Sequence, residues 1–457
     1  MVRPDHASAP QDPRDAQLRK HGRDQLFGLS APRRTPAADP DRHDPWRRSG
    51  KPRDPDSAGR LHIPRPPSRR LCHAAGQSGR LATSRRRARD APVPAAQQSY
   101  HRRCEDRRSG PLPFIVDTGG HNILTPSTVA ALNLQNQGKG SSSGAGEKTV
   151  SSGYTSVREI AAGGAILRDK TIITLEFAPA DVEGLQLGGM LGSEFLERFV
   201  VMIDYGAAAM TLIDPDRVTP AERQSFGTAV PMRFYIDMPQ IDGAIDGRAT
   251  RLDIDTGARD EVTVTSPFVA AHDLRSRYPG GVTMTTGWGV GGPSRTYTVR
   301  ARAVALGPVV VPRPIIGLSA AKRGSFSDAA YGGNVGSGLL KRFVTTFDYA
   351  RRTLYLKPLA RIDPDTGRFD RAGMWLNARP DGLEIMDLLP GGPADQAGLR
   401  AGDRVTMIGD VSYRDRTLSE MRRSLKLAPI TTPVTIRYLR AGAEGVTTVQ
   451  PRDLIPD

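Results

Sequence analysis

The chain has 457 residues and two cysteines, Cys72 and Cys104, both within the first 110 positions. Beyond them no thiol remains for a disulfide framework. Histidine is equally sparse: after residue 110 only His121 and His272 occur, too few for a histidine-based metal centre. No run approaches the roughly 18 apolar residues that cross a bilayer, so no membrane span is expected. A Walker-type phosphate loop, a Gly-x-Ser-x-Gly elbow and a His-Glu-x-x-His helix are all missing. These absences set aside nucleotide hydrolysis, serine hydrolase chemistry and zinc proteolysis.

The formal net charge is +15, which invites a nucleic-acid reading. The distribution argues against it. Residues 1–110 hold about 25 Lys and Arg against 12 Asp and Glu, whereas the rest holds about 39 against 37. A nucleic-acid enzyme would carry a basic face on its folded part, so no specific nucleic-acid partner is expected. In the first 110 residues Arg outnumbers Lys about 23 to 2, and Glu occurs once, at Glu105. Runs such as Arg85-Arg86-Arg87-Ala88-Arg89 and Pro64-Arg65-Pro66-Pro67 show no strand or helix period and cannot bury a core. Three readings fit this low-order segment: a basic tail binding polyanions, a targeting or pro-segment, or DNA translated in a wrong frame or from a wrong start. No secretory apolar region is visible in it. The third reading is preferred, because sense resumes abruptly at Pro111-Leu112-Pro113-Phe114.

What remains is organised around two Asp-Thr-Gly triplets, each closing an apolar strand. The first lies in Phe114-Ile115-Val116-Asp117-Thr118-Gly119-Gly120 and the second in Leu252-Asp253-Ile254-Asp255-Thr256-Gly257-Ala258. One such triplet is ordinary turn chemistry. Here the surroundings are repeated as well. Thr125-Pro126 and Ser266-Pro267 read as helix starts, with the hydroxyl at the N-cap and Pro at the first helical position. Leu191-Gly192-Ser193 matches Val335-Gly336-Ser337, and Ile203-Asp204-Tyr205 matches Phe347-Asp348-Tyr349. This is a duplicated, two-lobed unit. The repeated Asp204 and Asp348 sit at hairpins and read as turn formers. His121 reads as a surface turn residue.

Within each copy the order resembles one lobe of an aspartic protease of the pepsin and retroviral-protease type, over roughly residues 111–358. The resemblance implies a mainly β fold with lobes over 111–216 and 217–360, and a catalytic pair of Asp117 and Asp255. Two carboxylates this close cannot both ionise readily, so they share a proton and titrate together. The ionised member takes a proton from a water while the other hydrogen-bonds the scissile carbonyl. Thr118 and Thr256 would bond across the interface and brace the two loops, while Gly119 and Gly257 let backbone approach the carboxylates. Gly120 departs from the Ala or Ser usual at its position, which Ala258 fits. The chemistry needs no metal and no organic cofactor, and a monomer suffices for the pair.

A cleft of this kind needs a lid. Gly138–Gly146, followed by Tyr154, and Gly287-Trp288-Gly289-Val290-Gly291-Gly292 stand where flaps would be, the second resembling the flap tip of retroviral proteases. Tyr154 and Trp288 are the candidate lid aromatics, and each fits an ordinary hairpin position equally well. Lobe two has a strand upstream of its triplet, Ile241 to Arg248. Lobe one offers Gln97 to Arg108 at that place, which would leave a sheet edge unpaired.

After Pro358 the pattern changes. Pro393-Ala394-Asp395-Gln396-Ala397-Gly398-Leu399-Arg400-Ala401-Gly402-Asp403 closely resembles the signature of bacterial PDZ domains, here spanning 368–453. Thr417-Leu418-Ser419-Glu420 forms a capping box, with Leu418, Met421 and Leu425 on one face. The resemblance implies a peptide added as a strand, its terminal carboxylate held by backbone amides near Ala372, Gly373, Met374 and Trp375. That loop departs from the usual Gly-Leu-Gly-Phe type, so a peptide receptor and a structural appendage both fit. PDZ-bearing bacterial proteases are often exported, which makes the periplasm the implied compartment. Two functions follow: an aspartic endopeptidase, or a catalytically silent scaffold that captures peptides.

Overall fold

A computed structural model of the chain describes residues 60–61, 101–106, 110–177 and 180–455. The readings of the basic segment otherwise lie outside them. The fold is mainly β, and the described residues form three sheets of eight, fourteen and six strands.

The duplication is visible as identical local topology. In lobe one the strand Gly110–Val116 runs parallel to Gly189–Leu191, with Val116 opposite Leu191. In lobe two Arg248–Asp255 runs parallel to Gly333–Gly336, with Ile254 opposite Val335. A second short strand pairs antiparallel with each partner, Ile123–Leu124 in one copy and Val262–Val264 in the other. Each triplet thus leaves the end of a strand clamped on both sides. The apolar residues that demand this, Phe114, Val116 and Leu191 in one lobe and Leu252, Ile254 and Val335 in the other, are buried in one core spanning both copies.

The helix starts differ slightly. Thr125 is the N-cap of Pro126–Ala131 and its hydroxyl accepts from the Thr128 N–H. In lobe two the cap is Thr265 rather than Ser266, which opens the helix Ser266–Ala271. The Thr265 hydroxyl donates to the Tyr331 carbonyl, and Ser266 Oγ donates to Ala321 O at 2.6 Å. The cap thus falls one residue before the expected Ser266, at the place Thr125 holds in lobe one, and each threonine hydroxyl donates to a carbonyl elsewhere in its lobe.

The lobes join through a shared ladder. Val200–Asp204 and Phe343–Asp348 pair antiparallel, with Val200 opposite Asp348, Met202 opposite Thr346 and Asp204 opposite Val344. Met202 thereby faces its own duplicate, as a pseudo-twofold axis requires. Asp204 and Asp348 act at turns: Asp204 accepts the Ala207 N–H at 3.0 Å and Asp348 that of Arg351 at 3.1 Å. The buried Asp348 also pairs with Arg223 at 3.0 Å.

The expected gap upstream of the first triplet is filled. His101–Asp106 pairs antiparallel with Gly110–Val116, the place Met238–Ile245 takes beside Arg248–Asp255. Ladder hydrogen bonds involve only backbone groups, so an unpatterned segment can still occupy an edge.

The third sheet, with the helix Leu418–Leu427 against it, encloses a separate core of Leu376, Ile385, Val405, Leu418, Met421, Leu425 and Ile436. Thr417 and Glu420 form the capping box reciprocally. No helix among the described residues is long and apolar enough to cross a membrane.

Candidate active site

The two triplets meet on the pseudo-twofold axis. Thr118 N–H donates to Thr256 Oγ1 at 3.1 Å, and Thr256 N–H donates to Thr118 Oγ1 at 3.1 Å. Each hydroxyl in turn donates to the opposite lobe's strand: Thr118 to Ile254 O at 2.7 Å, Thr256 to Val116 O at 2.8 Å. Both threonines are buried, so these four bonds form away from competing water and fix the loops against each other.

The carboxyls they carry lie close enough to act on each other directly. Burial, then the charge of Asp255, then the hydrogen bond to it hold Asp117 well above the usual carboxylate range, against the opposing Gly119 N–H. Gly119 donates to Asp117 Oδ1 at 2.7 Å, and Gly257 donates to Asp255 Oδ1 at 2.9 Å. A Cβ on Gly257 would lie 2.4 Å from Asp117 Cγ, and one on Gly119 would lie 3.0 Å from Asp255 Cγ. Bare backbone on each loop is what lets the opposite carboxyl approach.

Further donors serve Asp255. Ala258 N–H reaches Oδ1 at 3.0 Å and Asn334 Nδ2 reaches Oδ2 at 2.8 Å. Two residues earlier, Asp253 is 2% exposed and accepts from Gln240 Nε2 at 2.7 Å. Burial, with repulsion from Asp255 and Asp328, lifts its carboxyl to about 7 against the Gln240 bond. Neither Asn334 nor Asp253 stands out by residue type. The signal for both is the aligned repeat, where they replace Met190 and Ile115.

The glycine-rich stretches also find one another. Gly146 N–H donates to Val290 O at 2.9 Å and Lys148 N–H to Gly291 O at 3.2 Å. Beside this junction is a cavity of about 420 Å³ lined by Lys148, Val150, Phe177, Trp288 and Gly292 among others. Trp288 belongs to this junction. Tyr154 does not: it stands opposite Gln137 in a strand pair and is 43% exposed. His121 lies outside the pair, hydrogen-bonded through Nδ1 to Glu194 at 2.8 Å. No cluster of His, Cys, Asp or Glu among the described residues could hold a metal ion.

At the third sheet, the amides expected to receive a peptide carboxylate already have one. Asp370 Oδ1 accepts the N–H groups of Ala372, Gly373 and Met374 at 3.0, 2.5 and 3.2 Å. Trp375, 8% exposed, packs with Val182 and Met284. The lobe-one helix Ala180–Glu183 lies against the strand Met374–Arg379, where Asp181 pairs with Arg379. A Cβ on the next residue, Gly184, would be 2.6 Å from Leu418 Cβ. This segment therefore touches both elements between which an added peptide strand would enter.

Two family models match parts of the chain. The aspartyl protease family model matches residues 108–195, and the PDZ domain model matches residues 384–440. No curated protein matches the chain. Among solved structures, a retropepsin-like aspartic protease from Rickettsia conorii is 14% identical, covering 29% of this chain and 92% of its own, with a TM-score of 0.22. An aminopeptidase N family protein from Idiomarina loihiensis is 22% identical over 20% of this chain, with a TM-score of 0.18. The match spans only 15% of that aminopeptidase. An aspartyl protease domain and a PDZ domain are both present in this chain.

Proposed function

We propose that this chain, an aspartyl protease-type pair of lobes joined to a PDZ domain, is an endopeptidase hydrolysing peptide bonds with the pair Asp117 and Asp255. The observation carrying this reading is the reciprocal bonding of Thr118 and Thr256, which sets two carboxyls side by side and supports a pair that shares one proton. In such a pair the ionised carboxylate removes a proton from a water lodged against both, and the oxygen attacks the peptide carbonyl. The protonated carboxyl donates a hydrogen bond to the developing oxyanion, and the proton taken from water passes to the departing amine. No covalent intermediate is needed. The flap junction at Gly146 and Val290 would exclude bulk water and grip an extended peptide backbone.

In this reading the PDZ domain acts first as a brace. Asp387 accepts from Thr285 N–H at 2.7 Å and from its hydroxyl at 2.8 Å, tying the domain to the Trp288 strand. A peptide would reach the groove only by displacing Ala180–Glu183.

The test is cleavage of an unstructured protein substrate by the purified full chain. Cleavage favoured by acid pH, resistant to chelators, blocked by a statine-type transition-state mimic and lost in Asp117→Asn and Asp255→Asn is the expected result. Peptide binding that persists in both variants, with no hydrolysis by the wild type at any pH, would make the lobes a silent scaffold.

A further inference from the structure

The two halves of the site are duplicates in backbone but not in chemistry. Gly188-Gly189-Met190-Leu191-Gly192-Ser193 aligns with Gly332-Gly333-Asn334-Val335-Gly336-Ser337 without a gap. The one strongly polar difference is Asn334 against Met190. Both side chains are buried, and each occupies the strand clamped beside its own aspartate. Asn334 Nδ2 donates to Asp255 Oδ2 at 2.8 Å. Met190 presents a thioether: a Cβ on Gly120 would lie 2.7 Å from its Sδ and 3.1 Å from Asp117 Oδ2. Gly120, the departure from the usual fourth residue, is thus the partner that makes room for Met190.

The donor sets differ accordingly. Asp255 accepts from Gly257 N–H, Ala258 N–H and the Asn334 amide, at 2.9, 3.0 and 2.8 Å. Asp117 accepts from Gly119 N–H, and the residue at the place of Asn334 in its lobe, Met190, has no donor to add. Donors to a carboxylate favour its charged form, and apolar surroundings favour the neutral one. Neither fourth residue, Gly120 nor Ala258, has a hydroxyl to offer either carboxyl.

We propose that Asn334 is a positioning residue that holds Asp255 as the anionic, water-activating member of the pair and leaves the shared proton on Asp117. The assignment deepens the proteolytic reading and rests on it for its chemistry, though not for its geometry. Asn334 Oδ1 is buried without a partner, so the amide is not retained for a second side-chain bond at its other end. The remaining titratable groups do not compete in acid. Asp253, on Asp255's own strand, stays protonated up to about 7. Tyr205 and Tyr331 lie within electrostatic reach of Asp255 and Tyr349 within that of Asp117, and burial pushes all three phenols up. Asp328 acts on Asp253 and Tyr331.

The experiment is a carboxyl-carbon NMR titration of the full chain with labelled aspartate, the two signals assigned through Asp117→Asn and Asp255→Asn. Asp255 is expected to ionise at lower pH than Asp117. Asn334→Met, which copies lobe one, is expected to raise the Asp255 midpoint by about one to two pH units. Asn334→Ser, smaller and safer for folding, should do the same, and Met190→Asn should lower the Asp117 midpoint instead. In kcat/KM the acid limb moves up with Asn334→Met. Asp117 ionising first would overturn the assignment, since Asn334 would then accept from a protonated Asp255 through its other amide atom. So would unchanged midpoints in folded Asn334→Met and Asn334→Ser. A wild type that titrates in the expected order yet cleaves nothing would sink the proteolytic reading while leaving this assignment standing.

Discussion

Gly257 stands so near Asp117 that a β-carbon there would meet Cγ and Oδ2 at 2.4 Å. Gly119 is less confined, since its β-carbon would meet the flexible end of Met238 at 2.7 Å and Asp255 Cγ at 3.0 Å. Gly257→Ala is therefore expected to lower kcat/KM by about 10²-fold or more through displaced carboxyls, and Gly119→Ala by less. Comparing both variants in kcat/KM and melting temperature checks this. Equal losses would show that the two loops are not confined as described.

The threonine bridge makes a thermodynamic prediction. Thr118→Val and Thr256→Val each leave buried polar groups without partners, at a cost of about 1–3 kcal/mol per orphaned group. The double variant should lose about the sum of the two, because the four bonds are distinct: each hydroxyl accepts the other loop's N–H and donates to a different carbonyl. Denaturant melts of the two single variants and the double variant measure this. A double loss well below the sum would mean that removing one hydroxyl already breaks the bonds of the other.

Asp253 sets a pH dependence of stability. Its folded value of about 7 lies above the unfolded carboxylate range, so the folded state holds the extra proton. Its contribution is fully present below about pH 4 and is lost as pH rises toward 7, with a slope of at most about 1.4 kcal/mol per unit. Asp253→Asn keeps an acceptor for Gln240 and removes the charge. Its melting temperature should fall less between pH 4 and 7 than that of the wild type. An unaltered profile would mean that Asp253 is ionised in the fold.

Asp370 predicts how the PDZ loop behaves. With three N–H groups already on its carboxylate, the wild type should show no saturable binding of a peptide with a free C-terminus. Asp370→Ala should destabilise the chain by about 1–3 kcal/mol. Acetate should then raise the melting temperature of the variant and not of the wild type, by occupying the vacated amides. Tight peptide binding by the wild type would contradict this.

Much of the fold is legible in the chain because the duplication writes each landmark twice. The triplets, the Leu191-Gly192 and Val335-Gly336 pairs and the Asp-Tyr hairpins locate two copies without any structure. The PDZ signature is equally local, since its turn glycines and capping residues act over a few positions. What was illegible is tertiary. That Ala180–Glu183 lies between Met374–Arg379 and Leu418 depends on surfaces more than 190 residues apart in sequence, with no local period to announce it. Tyr154 and Trp288 looked equivalent because both follow glycines, and only the meeting of Gly146 with Val290 separates them. Asn334 was visible in the aligned repeat but carries no motif, so its meaning waited on the position of Asp255.

The ladder between Val200–Asp204 and Phe343–Asp348 has a bearing on integrity. The tether between the copies runs through the exposed helix Pro220–Ser225. A protease nick there would cut the polypeptide without unzipping the halves, which stay laced through the ladder and the threonine bridge. Such a clipped molecule should run as two fragments under denaturing conditions and as one particle in native buffer.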